Sequence, residues 1–344
     1  MASTFSDSSP TSSILHVPAD VVRIGDRAIT WRQTVNLASV GEALDADAEC
    51  AGVLHAAREL EPAGSCAQVD GVGDPDIDPG MDEARYVDLV KQVLTDIAGG
   101  DVRKVVTSRA LVRHESPEVL NALPARLAEA YPDAWTFVVG GLVGATPELL
   151  AARTGERVRS RVLAGSLPRG SRPDTDLVAE ISTSRRFAEE HAHAARSVVE
   201  GLAAVLELEE RDPAPFVLEQ PNIYHLATDV AGRPSSDLGL LGIVAAIHPT
   251  AAVAGTPRDT AMAIIARREA HDRGRYAGPV GWIDADGDGE IGLALRCGQV
   301  EDHSIRLFAG GGIVAGADPE DELAETVGKL RPMREALEAA AARH

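Results

Sequence analysis

The stretch AGGGIVAGADPEDELAETVGKL, Ala309–Leu330, joins a cluster of glycines to an acidic helix start. Asp318 can cap a helix and the proline after it suits the first helical position, so the sequence predicts a helix from here. Glu322, Glu325 and Lys329 are spaced by three and four residues and therefore share one helix face. We expect the glycines to form a flexible turn that lets a ligand approach the backbone. The charged face is then either a solvated surface or a site for an anion and a metal.

The opposite face of this helix is apolar. Leu323, Val327 and Leu330 recur at helical spacing, and this pattern predicts a stripe buried against the domain. Both faces together predict an amphipathic helix whose inner side packs on the domain.

Composition limits the classes of protein that this chain can be. With 344 residues the chain can form one large α/β domain or two ordinary ones. Aromatic residues make up only 3%, so a core must be built from Ala, Val, Leu and Ile. The net charge of −20 argues against nucleic acid or anionic membrane surfaces as partners. An anionic small substrate would need a local cluster of cations or a bound metal.

The cysteine content and the N-terminal sequence indicate the cellular compartment of the protein. The three cysteines, Cys50, Cys66 and Cys297, form no metal-ligand pattern and suit a reducing compartment. No secretory signal is visible, and no apolar run reaches the ~18 residues of a membrane span. We expect a cytoplasmic protein, with a disordered N-terminus at 1–12.

Periodicity indicates mixed α and β structure along the chain. Residues 13–80 read as a variable part with edge strands and a helix around 41–60, and no linker forces a domain boundary. The pattern predicts further helices at 82–98, 117–131, 176–208 and 257–272. It predicts a strand at 102–111, a strand pair at 135–153 that turns at Gly140-Gly141, and a β-meander at 278–309.

Two apparent metal motifs fail on spacing. Asp284, Asp286 and Asp288 mimic the start of a calcium-binding loop, but Leu295 stands where the bidentate Glu is required. An Asp-Gly hairpin turn explains these residues better. The region of His191 lacks the H-E-x-x-H spacing of a zinc site.

Ten ordered segments together resemble a known family. They are KVVTSR (104–109), GATPELL (144–150), AGSLPRG (164–170), EEH (189–191), NIYHLAT (222–228), HPTAAVAGTPR (248–258), DRGRYAGPVGW (272–282), ALR (294–296), AGGGIV (309–314) and ELAETVGKL (322–330). This series resembles the chorismate-utilising enzymes, and within them the isochorismate synthases of menaquinone and siderophore pathways. The resemblance covers the chain from about residue 82 to its end.

The resemblance implies an α/β (α+β) fold of two large, mostly antiparallel sheets flanked by helices. The active site would lie in the cleft between the two halves. Residues 13–344 would form a single domain, with 13–80 as its variable N-terminal part and 82–344 as the family core.

The resemblance also implies the reaction. Water attacks C2 of the chorismate ring and the C4 hydroxyl leaves, which requires a base and an acid on opposite sides. Lys104 matches the base and Glu148 the acid. The plainer alternatives are a strand-end lysine and an acid at a helix start. Acid catalysis by a glutamate requires a raised pKa, which burial supplies.

A magnesium ion is the implied cofactor, with Glu190 and Glu325 as matching ligands. Two carboxylates at about 4 Å from a substrate carboxylate would each repel it by about 4 kcal/mol at an effective dielectric constant of about 20. Magnesium held by one or two protein carboxylates, substrate and water offsets this repulsion. Glu322, one turn before Glu325, is a candidate for the outer shell.

Substrate contacts are implied for a further set of residues. Arg296 and Lys329 match the positions that hold carboxylates, and arginine suits two-pronged contact with a carboxylate. Tyr276 and His225 would line the ring. The other matching positions are Ala164, Gly165, Ser166, Ala252, Val253, Gly310 and Gly312.

Single residues separate the reactions within the family. Ala164 stands where aminodeoxychorismate synthases carry a lysine nucleophile, and Lys104 where anthranilate synthases have Gln. Both favour water as the nucleophile. Phe187 departs from the family pattern, which has Asp there, and could loosen the order around Glu190.

Three hypotheses follow from the sequence. The first is a monomeric, magnesium-dependent isochorismate synthase acting on chorismate. Its enzymatic alternative is a salicylate synthase that also eliminates pyruvate. The second is a chorismate-binding relative with low or no activity, and the third is a structural protein without a ligand.

Overall fold

A computed structural model describes residues 1–6, 9–11, 13, 20–24, 29–33, 83–170, 172–220, 223–235 and 238–343. Its strands are β1 (Asp20–Ile24), β2 (Ile29–Gln33), β3 (Lys104–His114), β4 (Trp135–Val139), β5 (Leu142–Thr146), β6 (Leu149–Thr154), β7 (Arg157–Pro168), β8 (Leu206–Leu208), β9 (Phe216–Glu219), β10 (Ile223–Pro234), β11 (Gly255–Thr256), β12 (Pro279–Ile283), β13 (Gly289–Leu293), β14 (Cys297–Glu301) and β15 (Ser304–Val314). Its helices are α1 (Glu83–Ala98), α2 (Pro117–Ala130), α3 (Asp174–Thr183), α4 (Arg185–Ala203), α5 (Leu240–Ile247), α6 (Arg258–Arg268) and α7 (Pro319–Ala341). The helix expected around 41–60 lies outside the described residues.

Two antiparallel sheets form the frame. One has seven strands in the order β12-β13-β6-β7-β10-β8, with β9 also paired to β10. The other has six strands in the order β11-β3-β15-β14-β5-β4, and β1 and β2 pair separately. Helices pack on both sheets, with α4 against β7 and α7 against β15. The predicted fold class is confirmed.

Two short connections carry the chain from one sheet to the other. Pro147 and Glu148 link β5 of the six-stranded sheet to β6 of the seven-stranded sheet, and Arg296 ends the return from β13 to β14. The connections lie side by side, because the Leu293 N–H donates to the Glu148 carbonyl at 3.1 Å. Gly144 permits this approach, since a Cβ there would lie 2.8 Å from the Arg296 carbonyl oxygen. The junction of the two sheets therefore carries one acidic side chain, Glu148, and one cationic side chain, Arg296.

Capping side chains begin two of the helices, and the one at Asp318 was predicted. Ser116 caps α2 by accepting a hydrogen bond from the Val119 N–H at 3.4 Å. Asp318 caps α7 by accepting from the Glu320 N–H at 2.9 Å. In the described part of the chain, no helix is both long and apolar enough to cross a bilayer.

The hydrophobic core has three parts. The largest lies between the sheets and under α1, α5 and α6, and it includes Val105, Leu150 and Ile291. A second joins α2 and α7 to the six-stranded sheet. The third packs α3 and the start of α4 on β10 around Phe187. Aliphatic residues dominate all three, as the composition predicted.

Three local predictions were wrong. The glycine cluster at 310–312 is not a flexible turn but the middle of β15, where Gly311 pairs with Thr107. Val327 is 37% exposed, and Thr326 is buried in its place. The single helix predicted at 176–208 is two helices, because Ser184 adopts an extended conformation with ψ 121°.

The first residues of the chain pack on the domain, whereas the sequence predicted disorder for 1–12. Ala2 and Phe5 are buried, and the Met1 ammonium donates to the Gly281 carbonyl at 2.6 Å. The Arg273 guanidinium lies 4.3 Å from the centre of the Phe5 ring. These contacts join residues far apart in sequence, so no local pattern could reveal them.

Candidate active site

A pocket opens where the two sheets meet. Every residue predicted to be catalytic or to contact substrate lines it. Its walls are Lys104, Val106, Pro147, Glu148, Leu163, Ala164, Gly165, Ser166, His225, Ala252, Val253, Arg273, Tyr276, Ala277, Leu295, Arg296, Gly310, Gly312 and Lys329. The fold therefore brings together residues spread over more than half of the sequence. Their individual roles stay predictions.

Lys104 projects from the first position of β3. Its Cα lies opposite Val314 of β15 and Thr256 of β11, so the strand is fixed on both sides. Lys104 is 2% exposed, which makes it one of the largest fully buried side chains. A plain strand-end lysine would instead extend its ammonium into water. Its burial favours a role inside the pocket.

Glu148 occupies the first of the two sheet-to-sheet connections. It is 5% exposed. Burial raises the pKa of its carboxyl from 4.5 to about 8, although Arg296, the Leu163 backbone and Lys104 oppose the shift. A carboxyl group with this pKa holds its proton at neutral pH. It is therefore able to donate a proton to a leaving group.

His225 and Ser166 form a polar pair on the seven-stranded side. The Ser166 hydroxyl lies 2.8 Å from His225 Nδ1. Burial, then the charges of Arg296 and Lys329, hold the pKa of His225 well below 6.5, so the imidazole is neutral. Its Nε2 is buried and has no hydrogen-bond partner among the described residues. This nitrogen is available to a ligand.

An aromatic and a guanidinium form the far wall. The Tyr276 ring stacks on Phe308 with 5.1 Å between ring centres and 10° between planes. Burial raises the pKa of the Tyr276 hydroxyl, which therefore stays protonated. Arg296 holds a left-handed backbone conformation with φ 49°, imposed by the connection into β14. This wall therefore offers the flat face of an aromatic ring and a guanidinium that can donate two parallel hydrogen bonds to a carboxylate.

Helix α7 brings one cation, Lys329, to the pocket lining. The Lys329 ammonium donates to the Gly310 carbonyl at 2.9 Å and forms an ion pair with Glu325 one turn earlier. The side chains of Lys329 and Glu325 are 15% and 26% exposed. Of the charged face of α7, Lys329 lines the pocket, and Glu325 adjoins it through the ion pair with Lys329.

The predicted metal ligands are only partly described. Glu325 presents a carboxylate beside Lys329, which suits a hard cation. Glu190 lies in α4, but its side chain is outside the described residues. Within the described ranges, no group of three or more His, Cys, Asp or Glu side chains could hold a metal ion. Of the two expected carboxylates, only that of Glu325 is described, and its role as a metal ligand stays a prediction.

Glu322, the predicted outer-shell neighbour, is placed differently from Glu325. It is 7% exposed. Its Oε2 lies 2.9 Å from where a Cβ on Gly311 would sit, and the Tyr86 hydroxyl lies 3.1 Å from the same point. Glu322 therefore lies against β15 and Tyr86, and it is not among the described residues that line the pocket.

Helix α4 is attached to the pocket wall through His191. Its Nδ1 lies 3.1 Å from the Ala164 carbonyl oxygen and its Nε2 lies 2.7 Å from Thr228 Oγ1. Phe187, the departure from the family pattern, is buried with Leu177 and Leu226. It fills an apolar cluster beside this attachment. Its effect on Glu190 stays a prediction.

Arg273 is a pocket residue that sequence reasoning missed. Its guanidinium donates to the Val106 carbonyl at 2.6 Å and to the Val253 carbonyl at 2.9 Å. It also pairs with buried Glu269. Arg273 thereby ties β3 to the loop before β11. The available signal was its place in the DRGRYAGPVGW segment (272–282) of the resemblance.

Comparisons with known proteins agree with this geometry. The family model described as chorismate binding enzyme matches residues 16–338. Isochorismate synthase DhbC of Bacillus subtilis is 38% identical over 277 residues, which is 76% of this chain and 69% of the relative. The solved structure of MenF, the menaquinone-specific isochorismate synthase of Escherichia coli, superposes with a TM-score of 0.67 at 28% identity, covering 75% of this chain and 61% of that one.

A more distant structure shares the fold. Anthranilate synthase component I of Streptococcus pneumoniae superposes with a TM-score of 0.69 at 19% identity, covering 88% of this chain and 69% of that one. The family model, the sequence relatives and the pocket all agree with the resemblance inferred from the ten segments. The chain therefore belongs to the chorismate-binding enzyme family.

Proposed function

We propose that the protein is an isochorismate synthase, which converts chorismate to isochorismate. The observation that carries the proposal is the buried pair of Lys104 and Glu148 in one pocket, with a glutamate that keeps its proton at neutral pH. Relatives named as isochorismate synthases support the same reaction.

Lys104 and Glu148 divide the proton transfers. The Lys104 amine takes a proton from water as the water oxygen bonds to C2 of the ring. The ring double bond shifts and the C4–O bond breaks. The Glu148 carboxyl gives its proton to the departing hydroxyl, which leaves as water. One water enters and one leaves, so the product is an isomer of the substrate.

The remaining pocket residues orient a dicarboxylate ring. Arg296 binds one carboxylate through its planar guanidinium. Lys329 also lines the pocket, where it supplies a second positive charge. The hydrogen bond between the Ser166 hydroxyl and Nδ1 orients the His225 ring, and the buried Nε2 is left to bond with a ring substituent. Tyr276 and Phe308 limit the ring on its flat side.

Magnesium is the proposed cofactor. Glu325 and Glu190 would hold it, and the ion would neutralise charge on the ring carboxylate when bound. Lys329 keeps the Glu325 carboxylate in place through their ion pair. A cytoplasmic, monomeric protein stays a prediction from the sequence.

A product assay tests the proposal. Purified protein, chorismate and Mg²⁺ are incubated, and the products are separated by chromatography. We expect isochorismate, and no product from Lys104→Ala. Lys91→Ala is the matched control, because the Lys91 side chain on α1 is 61% exposed. Its rate should equal that of the wild type.

The other products would each reject the proposal in a different way. Salicylate with pyruvate would make the protein a salicylate synthase. An aminated product formed with ammonium salts would show that Lys104 does not select water. Binding of chorismate without turnover would indicate an inactive relative.

A further inference from the structure

A second cavity shares no described lining residue with the catalytic pocket. It has a volume of about 430 Å³ and is bordered by α4, by the end of α5, and by the β11 segment that leads into α6. Its polar lining includes Arg103, His193, Arg196, Glu200, Thr256 and Arg258. We refer to it as the arginine pocket. None of these residues belongs to the proposed reaction.

Three cations from different parts of the chain converge here. Arg103 precedes β3, Arg196 lies on α4, and Arg258 begins α6. Glu200 is the one carboxylate among the described lining residues, while Arg258 also contacts exposed Asp259 at 3.6 Å. The local charge is thus positive in a chain whose net charge is −20. All three arginines are exposed, so an anion that bridges them would exchange their contacts with water for charge-assisted hydrogen bonds.

His193 reports the same positive field. Burial lowers its pKa first, and the charges of Arg103, Lys104 and Arg196 lower it further. The imidazole is therefore neutral at pH 7 and can donate one hydrogen bond to an anion. Arg103 and Arg196 of the arginine pocket and Lys104 of the catalytic pocket therefore all lower the pKa of His193.

The β3–β11 pairing lies between the two pockets. The Arg103 N–H donates to the Thr256 carbonyl at 2.8 Å, and Thr256 lies opposite Lys104 in register. Arg103 lines the arginine pocket and its neighbour Lys104 lines the catalytic pocket. Arg103 lies in the bend directly before β3, so the division falls where the strand begins.

We propose that the arginine pocket is a second ligand site, which binds a compact oxyanion with at least two negative charges, either a phosphate or a dicarboxylate. The volume lies within the ~300–1,000 Å³ of small-molecule sites. Guanidinium groups bind both anion types through paired N–H donors. The Arg258 end of α6 adds the positive end of a helix dipole.

Calorimetric titration of the full chain tests the site without turnover, so its result is independent of the proposed function. The probes are inorganic phosphate and malonate, each without chorismate. We expect one of them to bind with a stoichiometry of one, and the tighter probe identifies the anion class. Arg196→Ala and Arg258→Ala should each weaken that binding by about tenfold or more.

Two control variants locate the bound anion. Arg211→Ala removes an exposed arginine that lines neither pocket, and it should bind like the wild type. Arg296→Ala alters the catalytic pocket and should also leave binding unchanged.

Three results would overturn the proposal. Neither probe binds at millimolar concentration; Arg296→Ala, but not Arg196→Ala, abolishes binding; or Arg211→Ala weakens binding as much as Arg196→Ala. The second would place the anion at the catalytic pocket, and the third would reduce the effect to general charge attraction.

Discussion

Glutamate side chains have different environments on the two sides of the catalytic pocket. On the strand side, Glu148 lies in a sheet-to-sheet connection, is 5% exposed and has a pKa raised by burial to about 8. On the helix side, Glu325 lies on α7, is 26% exposed and pairs with Lys329. A glutamate shielded from water holds its proton, whereas Glu325 stays in contact with water and a cation. The pocket wall thus carries a buried acid, and the adjoining helix carries an ion-paired carboxylate.

The difference arises from the elements that carry the two residues. A connection between sheets is enclosed by both of them, so Glu148 is desolvated. A helix laid on the outside of a sheet keeps an edge in water, so Glu325 is not. Substitutions on the two sides should therefore change different measured quantities.

The largest effect is expected on the strand side. Glu148→Gln keeps the size of the side chain but removes the proton that it donates. We expect kcat for isochorismate formation to fall by about 10²–10⁴ at pH 7. Glu156→Gln, in an exposed turn, is the matched control and should leave kcat unchanged. A loss below tenfold would show that Glu148 is not the acid.

The same substitution should alter the dependence of stability on pH. Burial raises the pKa of Glu148 from 4.5 to about 8, so the folded chain binds more protons than the unfolded chain between these values. The contribution of Glu148 to folding is fully present below pH 4.5 and is lost as the pH rises towards 8. Glutamine does not ionise and avoids this loss.

Urea unfolding at several pH values measures this stability difference. We expect the free energy of unfolding of Glu148→Gln, relative to the wild type, to rise by about 1–5 kcal/mol from about pH 5 to about pH 9. Glu156→Gln should show no such trend. A difference that stays constant with pH would mean that the carboxyl of Glu148 is solvated.

A smaller effect is expected on the helix side. Lys329→Met keeps the length of the side chain but removes the ammonium that contacts Gly310 and Glu325. We expect the KM for chorismate to rise by about tenfold to a hundredfold, with a smaller change in kcat. Steady-state kinetics measure both, with Lys91→Met as the control. A change confined to kcat would assign Lys329 to the chemical step.

The smallest effect is expected where α7 begins. Asp318→Ala removes the cap that accepts from the Glu320 N–H, so the free energy of unfolding should fall by about 1 kcal/mol. Asp212→Ala, in an exposed loop, is the control for loss of charge. KM and kcat should remain near wild type. A large loss of activity would mean that the first turn of α7 positions Lys329.

Local signals predicted the helix side well. The Asp-Pro start and the spacing of Glu325 and Lys329 depend only on neighbours in sequence, so both features follow from the order of the residues alone. The glycines at 310–312 misled the prediction, because a glycine run is typical of turns. Here these residues lie in β15, where large side chains would meet Thr107, Tyr276 and Glu322.

The strand side could not be predicted from local patterns, because contacts between distant parts of the chain form it. The lysine of KVVTSR and the glutamate of GATPELL were found only through the family resemblance, and their burial follows from the meeting of two sheets. The connections of Arg273 to Val106 and Val253 span residues far apart in the chain. The break at Ser184 had a weak signal, since Ser and Thr compete for backbone hydrogen bonds and interrupt helices.

Selection for stability and selection for activity favour different residues at position 296, because Arg296 has a left-handed backbone conformation. At φ 49° a residue other than glycine costs about 1–3 kcal/mol. Glycine would relieve this strain, but it would also remove the guanidinium from the pocket. A laboratory evolution experiment that rewards heat resistance alone should therefore accumulate Arg296→Gly, whereas one that rewards turnover should retain arginine.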